Sequence, residues 1–233
     1  MKEKVLAVVL AAGSGSRMQS KVKKQYLTLG DKPVLAHTLL AFEQSGVDEI
    51  MLVVGKGEED YVREDIVEAY GITKVKKIIC GGRERFDSSY CAIKAADPSV
   101  SYIMIQDGAR AFITKELIDR SIADVKEYGT SIMAVPSKDT IKVVDQEGFA
   151  VSTPDRSSLW LIQTPQTFLL SEIRDAYDKM MQEPHDHVTD DAMVMEHYGS
   201  RRVKMTMGSY ENIKITTPDD LILGQAILKK RAQ

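Results

Sequence analysis

A chain of 233 residues is long enough for one large α/β domain, or for a domain with a small appendage. With 43% apolar and 28% charged residues it has the make-up of an ordinary globular protein, and a formal net charge of −3 argues against nucleic acid as a partner. No run approaches the roughly 18 apolar residues that span a bilayer, and Cys80 and Cys91 are too few for a disulfide framework and lack metal-site spacing, so a reducing cytoplasm is the expected compartment.

The first apolar run, Val5-Leu6-Ala7-Val8-Val9-Leu10, is too short for a helix core and rich in β-branched residues. A strand buried on both faces is expected there. Its basic start gives it some likeness to a secretory signal, but Glu3 spoils the positive end and a coherent loop follows, so it reads as a core strand. The loop is Ala11-Ala12-Gly13-Ser14-Gly15-Ser16-Arg17, trailed by the cations Lys21, Lys23 and Lys24. Small side chains let a backbone come close to a ligand, and glycine permits the turns that aim several N–H groups at one point. A strand emptying into such a loop reads as a polyphosphate cradle. It matches neither GxxxxGK[ST] nor GxGxxG, since Met18 stands where the third glycine belongs, and on spacing alone a tight turn without a ligand is the other reading.

Further along, residues 33–45 have helical spacing, with Pro33 suited to a first turn and Gly46 to a C-cap. Strands are expected at 49–55, 74–79, 101–105 and 131–135, and helices at 58–70, 86–96 and 115–128. Strands alternating with helices indicate a doubly wound, mostly parallel sheet, in which ligands bind beyond the carboxyl ends of the strands. Three loops fall at that edge: 11–24, 81–88 and 107–110. Clusters of cations inside an acidic chain point to a small anionic substrate.

After Pro136 the pattern changes. Residues 138–144 and 149–153 alternate polar and apolar around the turn Asp145-Gln146-Glu147-Gly148, which predicts an antiparallel hairpin. A hairpin interrupting a parallel fold is expected to project as an arm, here 137–157, and to bind a second subunit. The chain then returns to the sheet at 159–164, with helices at 171–181, 190–198 and 218–230 and short strands at 202–206 and 212–215.

Set out in order, the motifs LAAGSGSRM at 10–18, KQY at 24–26, GGRERFDS at 81–88, DGAR at 107–110, KDTIK at 138–142, DR at 155–156, QTPQTF at 163–168, TDDA at 189–192 and ENIKITTPDDL at 211–221 run nearly end to end. Together they resemble the 2-C-methyl-D-erythritol 4-phosphate cytidylyltransferases, among the glycosyltransferase-A-like nucleotidyltransferases. The resemblance implies one Rossmann-like domain over residues 1–233 and a role in isoprenoid precursor biosynthesis. The implied reaction is in-line attack of an acceptor phosphate oxygen on the α-phosphorus of CTP, with pyrophosphate leaving and no covalent enzyme intermediate.

Such a reaction piles negative charge on phosphorus-bound oxygens, which positioned cations, N–H groups and Mg²⁺ relieve. The resemblance makes Arg17 and Lys24 the transition-state pair and Lys214 a third phosphate-contacting cation. In a strand, Lys214 would point opposite to Ile213 and Ile215. Ala11, Ala12, Gly13, Gly15, Gly82 and Ser88 are implied around the cytidine. Asp107 is implied to hold Mg²⁺ or a ribose hydroxyl, a helix cap being its ordinary reading. Arg110, Thr140, Arg156, Thr164 and Thr189 are implied around the acceptor. Thr140 and Arg156 would come from the neighbouring subunit's arm, so the resemblance implies a homodimer with shared sites, and Arg156 counts as catalytic as well as phosphate-binding.

Three positions depart from the family pattern: Lys23 where proline is usual, Arg83 beside the base pocket, and Ala111 after DGAR. The first implies a less rigid loop. His185-Asp186-His187 and the nearby Asp190-Asp191 could tempt a zinc assignment, but the HxH lies in an expected loop beside Pro184 with no adjacent cysteine or third histidine, and a solvated loop before a helix is the reading adopted. Met193, Met195 and Trp160 read as packing residues. Two rival functions stay open on the sequence. A ribitol 5-phosphate cytidylyltransferase would share the CTP half, and a non-catalytic nucleotide-binding module would keep the loop but does not require the full cation set. A uridylyl- or guanylyltransferase is disfavoured by QTPQ and NIKIT.

Overall fold

The computed structural model describes residues 3–13, 15, 18, 22–185 and 188–232. The chain runs through β1 (Val5–Ala11), the small antiparallel ribbon of β2 (Thr28–Leu29) and β3 (Lys32–Pro33), α1 (Val34–Glu43), β4 (Glu49–Val54) and α2 (Glu59–Val62). It continues through β5 (Val75–Cys80), α3 (Arg85–Ala95), β6 (Tyr102–Asp107), α4 (Lys115–Tyr128) and β7 (Thr130–Pro136). Then come the hairpin of β8 (Val143–Val144) and β9 (Ala150–Ser152), β10 (Trp160–Leu169), α5 (Leu170–Met180), α6 (Asp191–Tyr198), β11 (Met205–Met207) and α7 (Pro218–Arg231).

Seven strands form one sheet in the order β11-β7-β10-β6-β1-β4-β5. All neighbours are parallel except β10, which runs antiparallel to both β6 and β7. The period of two along β1 explains its continuous apolar run. Val5, Ala7, Val9 and Ala11 pack with Leu35, Phe42, Ile66 and Ile118 on one face. Leu6 and Val8 pack with Ile93, Phe168, Ile173 and Tyr177 on the other. The apolar start is therefore a central strand, as expected.

Four local expectations are revised. The helix expected over 58–70 begins as α2 but continues as π-helical Arg63–Glu68, with Ala69 N–H donating to Glu64 O five residues back. The wider turn brings Val62, Ile66 and Val67 to one buried face, which α-helical spacing would splay. The strand expected to end at Thr164 extends to Leu169, because Pro165 falls where the ladder is already broken between Ile162 and Gln166 and so takes no donor from it. Residues 212–215 form no ladder; Asn212 N–H donates to Ser209 O at 3.0 Å and Ile215 N–H to Ala109 O at 2.9 Å, and the Asn212 and Arg110 side chains add further bonds. The strand expected over 202–206 pairs only at Met205–Met207.

The hairpin projects as expected, with Gly148 at φ +87° and the Asp145 carboxylate accepting from the N–H groups of Glu147 and Phe149. Its paired strands are short, and Val143, Val144, Phe149 and Val151 are all exposed, Phe149 at 68%. A two-stranded ribbon with bare apolar faces is marginal on its own.

Candidate active site

Because β1, β5 and β6 are parallel, their carboxyl ends open on one edge of the sheet and the three expected loops meet there. They enclose a cleft of about 350 Å³. Ala11, Ala12 and Gly13 line it from the loop after β1, Gly82 and Ser88 from the loop after β5, and Asp107 from the end of β6. Lys24 and Lys214 reach it from opposite ends of the chain. Arg17 lies outside the described residues.

The loop after β1 is braced from behind. The buried Gln25 amide donates to Ala11 O at 2.6 Å and Gly13 O at 3.2 Å, leaving the loop's other side turned to the cleft. Gly15 stands at φ +69°, a conformation that side chains resist, with the Lys24 side chain packed beside it. Lys23, where greater looseness was expected, sits at φ −61°, the value a proline ring would impose, and pairs with Glu58 at 2.6 Å. In the second loop Ser88 Oγ accepts from Gly82 N–H at 3.1 Å and donates to Glu84 O at 3.2 Å. Ser88 thus braces the backbone at the cleft and belongs to the first turn of α3 at once. Arg83 points to solvent at the rim, and Ala111 is buried.

Asp107 is the electrostatic centre. Its carboxylate meets Arg85 Nε at 3.0 Å and Lys214 Nζ at 2.7 Å, while its N–H donates to Thr164 Oγ1 at 3.0 Å. Burial alone would raise its pKa, but Arg85, Lys214 and Arg110 outweigh it and hold the group far below the usual carboxylate range. Arg85 continues inward to the fully buried Asp191 at 2.7 Å, which also accepts from Tyr177 O–H at 2.6 Å. Lys214 points into the cleft while Ile213 and Ile215 pack on Leu29, Val34 and Phe112, so the expected alternation holds although the segment pairs with no strand.

Arg110 lies beside this centre, its Nη1 donating to Asn212 O at 2.7 Å and its Nη2 to Ile162 O at 3.4 Å. Asn212 in turn donates to Gln163 Oε1 and Thr164 O. The QTPQ and NIKIT motifs therefore meet at the middle of β10, where its ladder is interrupted. Among the described residues, Arg85 Nη2 and Arg110 Nε are buried donors without a hydrogen-bond partner.

Thr189 lines a second cavity of about 420 Å³ that shares Glu84 and Arg85 with the first. Thr140 and Arg156 do not reach either cavity of their own chain. Both are exposed on the arm, where Arg156 Nη1 donates to Lys138 O at 3.3 Å. Sequence reasoning missed Gln25, Arg85, Asp191 and Glu58. Gln25, Arg85 and Asp191 lie inside the motifs KQY, GGRERFDS and TDDA, but nothing local shows that their partners lie in other segments.

The network makes acid stability a test of Asp107. Its folded-state pKa is depressed, so its contribution is complete above the unfolded value of about 4 and is lost as pH falls below it. Asp107→Asn is expected to melt at lower temperature than wild type at pH 7, because Arg85 and Lys214 lose their counter-charge. The gap should narrow as pH falls from about 4; a gap that stays constant down to strong acid would remove the carboxylate's charge from the account.

The family model described as IspD: 2-C-methyl-D-erythritol 4-phosphate cytidylyltransferase matches residues 5–230. A relative of that name from Alkaliphilus oremlandii is 47% identical over 99% of this chain and 97% of its own. Another, from Lachnoclostridium phytofermentans, is 45% identical over 98% of this chain and 97% of its own. Among solved structures, 4-diphosphocytidyl-2C-methyl-D-erythritol synthase from Anaerococcus prevotii superposes with a TM-score of 0.87 at 34% identity, covering 97% of this chain and 96% of that one.

Proposed function

The chain belongs to the 2-C-methyl-D-erythritol 4-phosphate cytidylyltransferase family and is a cytidylyltransferase, and on that premise we propose how its cleft moves CMP from CTP to methylerythritol phosphate, a step of isoprenoid precursor biosynthesis. The observation that carries the reading is the meeting of Lys24, Lys214 and Asp107 in one cleft between the loops that end β1, β5 and β6.

The small residues Ala11, Ala12 and Gly13, with Gly82 and Ser88, take the cytidine against bare backbone. Lys24 and Lys214, with Arg17, draw charge from the triphosphate. The acceptor's phosphate oxygen attacks the α-phosphorus, the new P–O bond forms as the α–β bridge bond breaks, and pyrophosphate leaves with the electron pair. Cations fixed before the reaction stabilise the charge that develops on the transferring group without reorganising.

Magnesium is part of the proposal, and the donor set fits it. Among the described residues no three His, Cys, Asp or Glu side chains gather into a cage, and Asp107 is an ionised carboxylate lining the cleft. Mg²⁺ prefers such a site, one or two carboxylates completed by substrate phosphates and water. Held by Asp107, it would neutralise triphosphate charge. Lys214, whose side chain is one-third exposed, is free to turn from the carboxylate to the phosphates.

Arg110 with Thr164 and Thr189 forms this chain's half of the acceptor site. Thr140 and Arg156 line neither cavity of their own chain, and an arginine fork suits a phosphate monoester. The exposed apolar ribbon around Phe149 and Val151 needs cover. A second copy of the chain supplies both the cover and a cleft for the arm to complete, so the enzyme works as a homodimer. No helix among the described residues is long and apolar enough to cross a membrane, and the free Cys80 and Cys91 agree with a cytoplasmic setting.

Pyrophosphate release from CTP, with methylerythritol 4-phosphate or ribitol 5-phosphate as acceptor, tests the reading. A preference of at least about 10²-fold in kcat/KM for the former is expected, since a site built to hydrogen-bond its substrate discriminates strongly. The opposite preference would reassign the acceptor, and no release with either would end the enzymatic reading.

A further inference from the structure

Lys24 sits at the start of a single 3₁₀ turn, Lys24–Tyr26, and a turn that short has no rigidity of its own. Gln25 pins its inner side to the nucleotide loop. Its outer side is pinned by a residue remote in sequence. Glu58 lies between β4 and α2, and its Oε2 accepts from Tyr26 O–H at 3.0 Å and from Gly55 N–H at 3.0 Å. Its Oε1 pairs with Lys23 Nζ at 2.6 Å. One carboxylate therefore grips the residues on both sides of Lys24 and Gln25 and ties them to the β4–α2 turn.

Three further observations support a built device. The Glu58 side chain is only 18% exposed and Lys23 34%, so the pair is shielded beyond the ordinary surface ion pair. The space above Gly55 is filled by the pair: a Cβ there would fall 2.7 Å from both Lys23 Nζ and Glu58 Oε2. The Tyr26 ring also packs edge-on against Tyr61 of the following helix, with centroids 5.1 Å apart, so the turn is held by packing as well as by charge.

We propose that Glu58 is a positioning residue for catalysis, fixing through Lys23 and Tyr26 the direction from which the Lys24 ammonium meets the reacting phosphate. This rests on the cytidylyltransferase reading. Since Lys24 would act on the transition state, misdirecting it should lower kcat more than it raises the KM for CTP.

The test is steady-state pyrophosphate release by the full chain for Glu58→Gln, Lys23→Met and the double variant, with melting temperatures measured alongside. Glu58→Gln keeps an acceptor oxygen for Tyr26 and Gly55 but loses the ion pair; Lys23→Met loses the same pair from a partly exposed position. Each should lower kcat roughly tenfold, with the KM for CTP within about twofold and the double variant no worse than either single. A kcat within about twofold of wild type in both singles, whatever the melting temperature, would reduce Glu58 to a structural role. Losses that multiply in the double variant would equally overturn the shared-pair argument. Should Glu58→Gln fail to fold, Lys23→Met alone decides. Lys24→Ala run in parallel separates the two levels: an inactive wild type removes the reading beneath the inference, while an active wild type with an impaired Lys24→Ala and unimpaired Glu58 and Lys23 variants removes the inference alone.

Discussion

Lys24→Ala is expected to lose at least about 10²-fold in turnover, the usual cost of deleting a fixed charge-stabilising donor at the reacting group. Lys24 is half-buried at the cleft, beside Gly15 and braced through its neighbours Gln25, Lys23 and Tyr26. The variant keeps Gln25, Lys23 and Tyr26 and the bonds they make to Ala11, Gly13 and Glu58, so the turn should still fold and any loss of turnover can be compared with the change in melting temperature. Stopped assays of pyrophosphate release at saturating CTP, paired with thermal denaturation, measure both. Near-normal turnover would take Lys24 out of the mechanism and leave the cleft as a binding site.

Mixing two disabled variants provides the second large effect. If the arm serves the partner's cleft, Lys24→Ala and Arg156→Ala each disable every site of their own homodimer. Exchange of subunits at equal amounts makes half the dimers mixed, and each mixed dimer has one cleft with an intact Lys24 facing an intact Arg156. Activity should then recover to about a quarter of wild type from a base at least tens-fold lower. With Arg156 acting in its own chain, no pairing restores a site and the mixture stays dead. The exposed Phe149 and Val151 give the control: Phe149→Lys with Val151→Lys should yield monomers by sedimentation and abolish the recovery.

Much of the site was legible because its chemistry sits in short contiguous motifs. Small residues after a β-branched strand, a glycine pair after β5 and an aspartate closing β6 all mark strand-to-loop junctions, and parallel topology sends such junctions to one edge. Lys214 could be aimed from the two isoleucines around it. What stayed illegible were bonds between loops. Nothing within KQY shows that Gln25 turns inward to Ala11 O, nor that Lys23 finds Glu58 across 35 positions of chain. Arg85 reads locally as a first-turn helix residue, yet it joins Asp107 to Asp191. The extension of β10 past Pro165 was hidden for a related reason, since a proline ends a strand unless the ladder is already interrupted by its neighbours.

By itself, then, the sequence determined the layers, the strand ends that carry chemistry, the family and the charges available to it, because apolar period and turn chemistry act over a few residues. The tertiary structure alone decided which cations share one carboxylate, what braces Lys24, and that Thr140 and Arg156 stand outside their own cleft. Those outcomes depend on distances between segments far apart in the chain, which packing sets and local pattern does not encode.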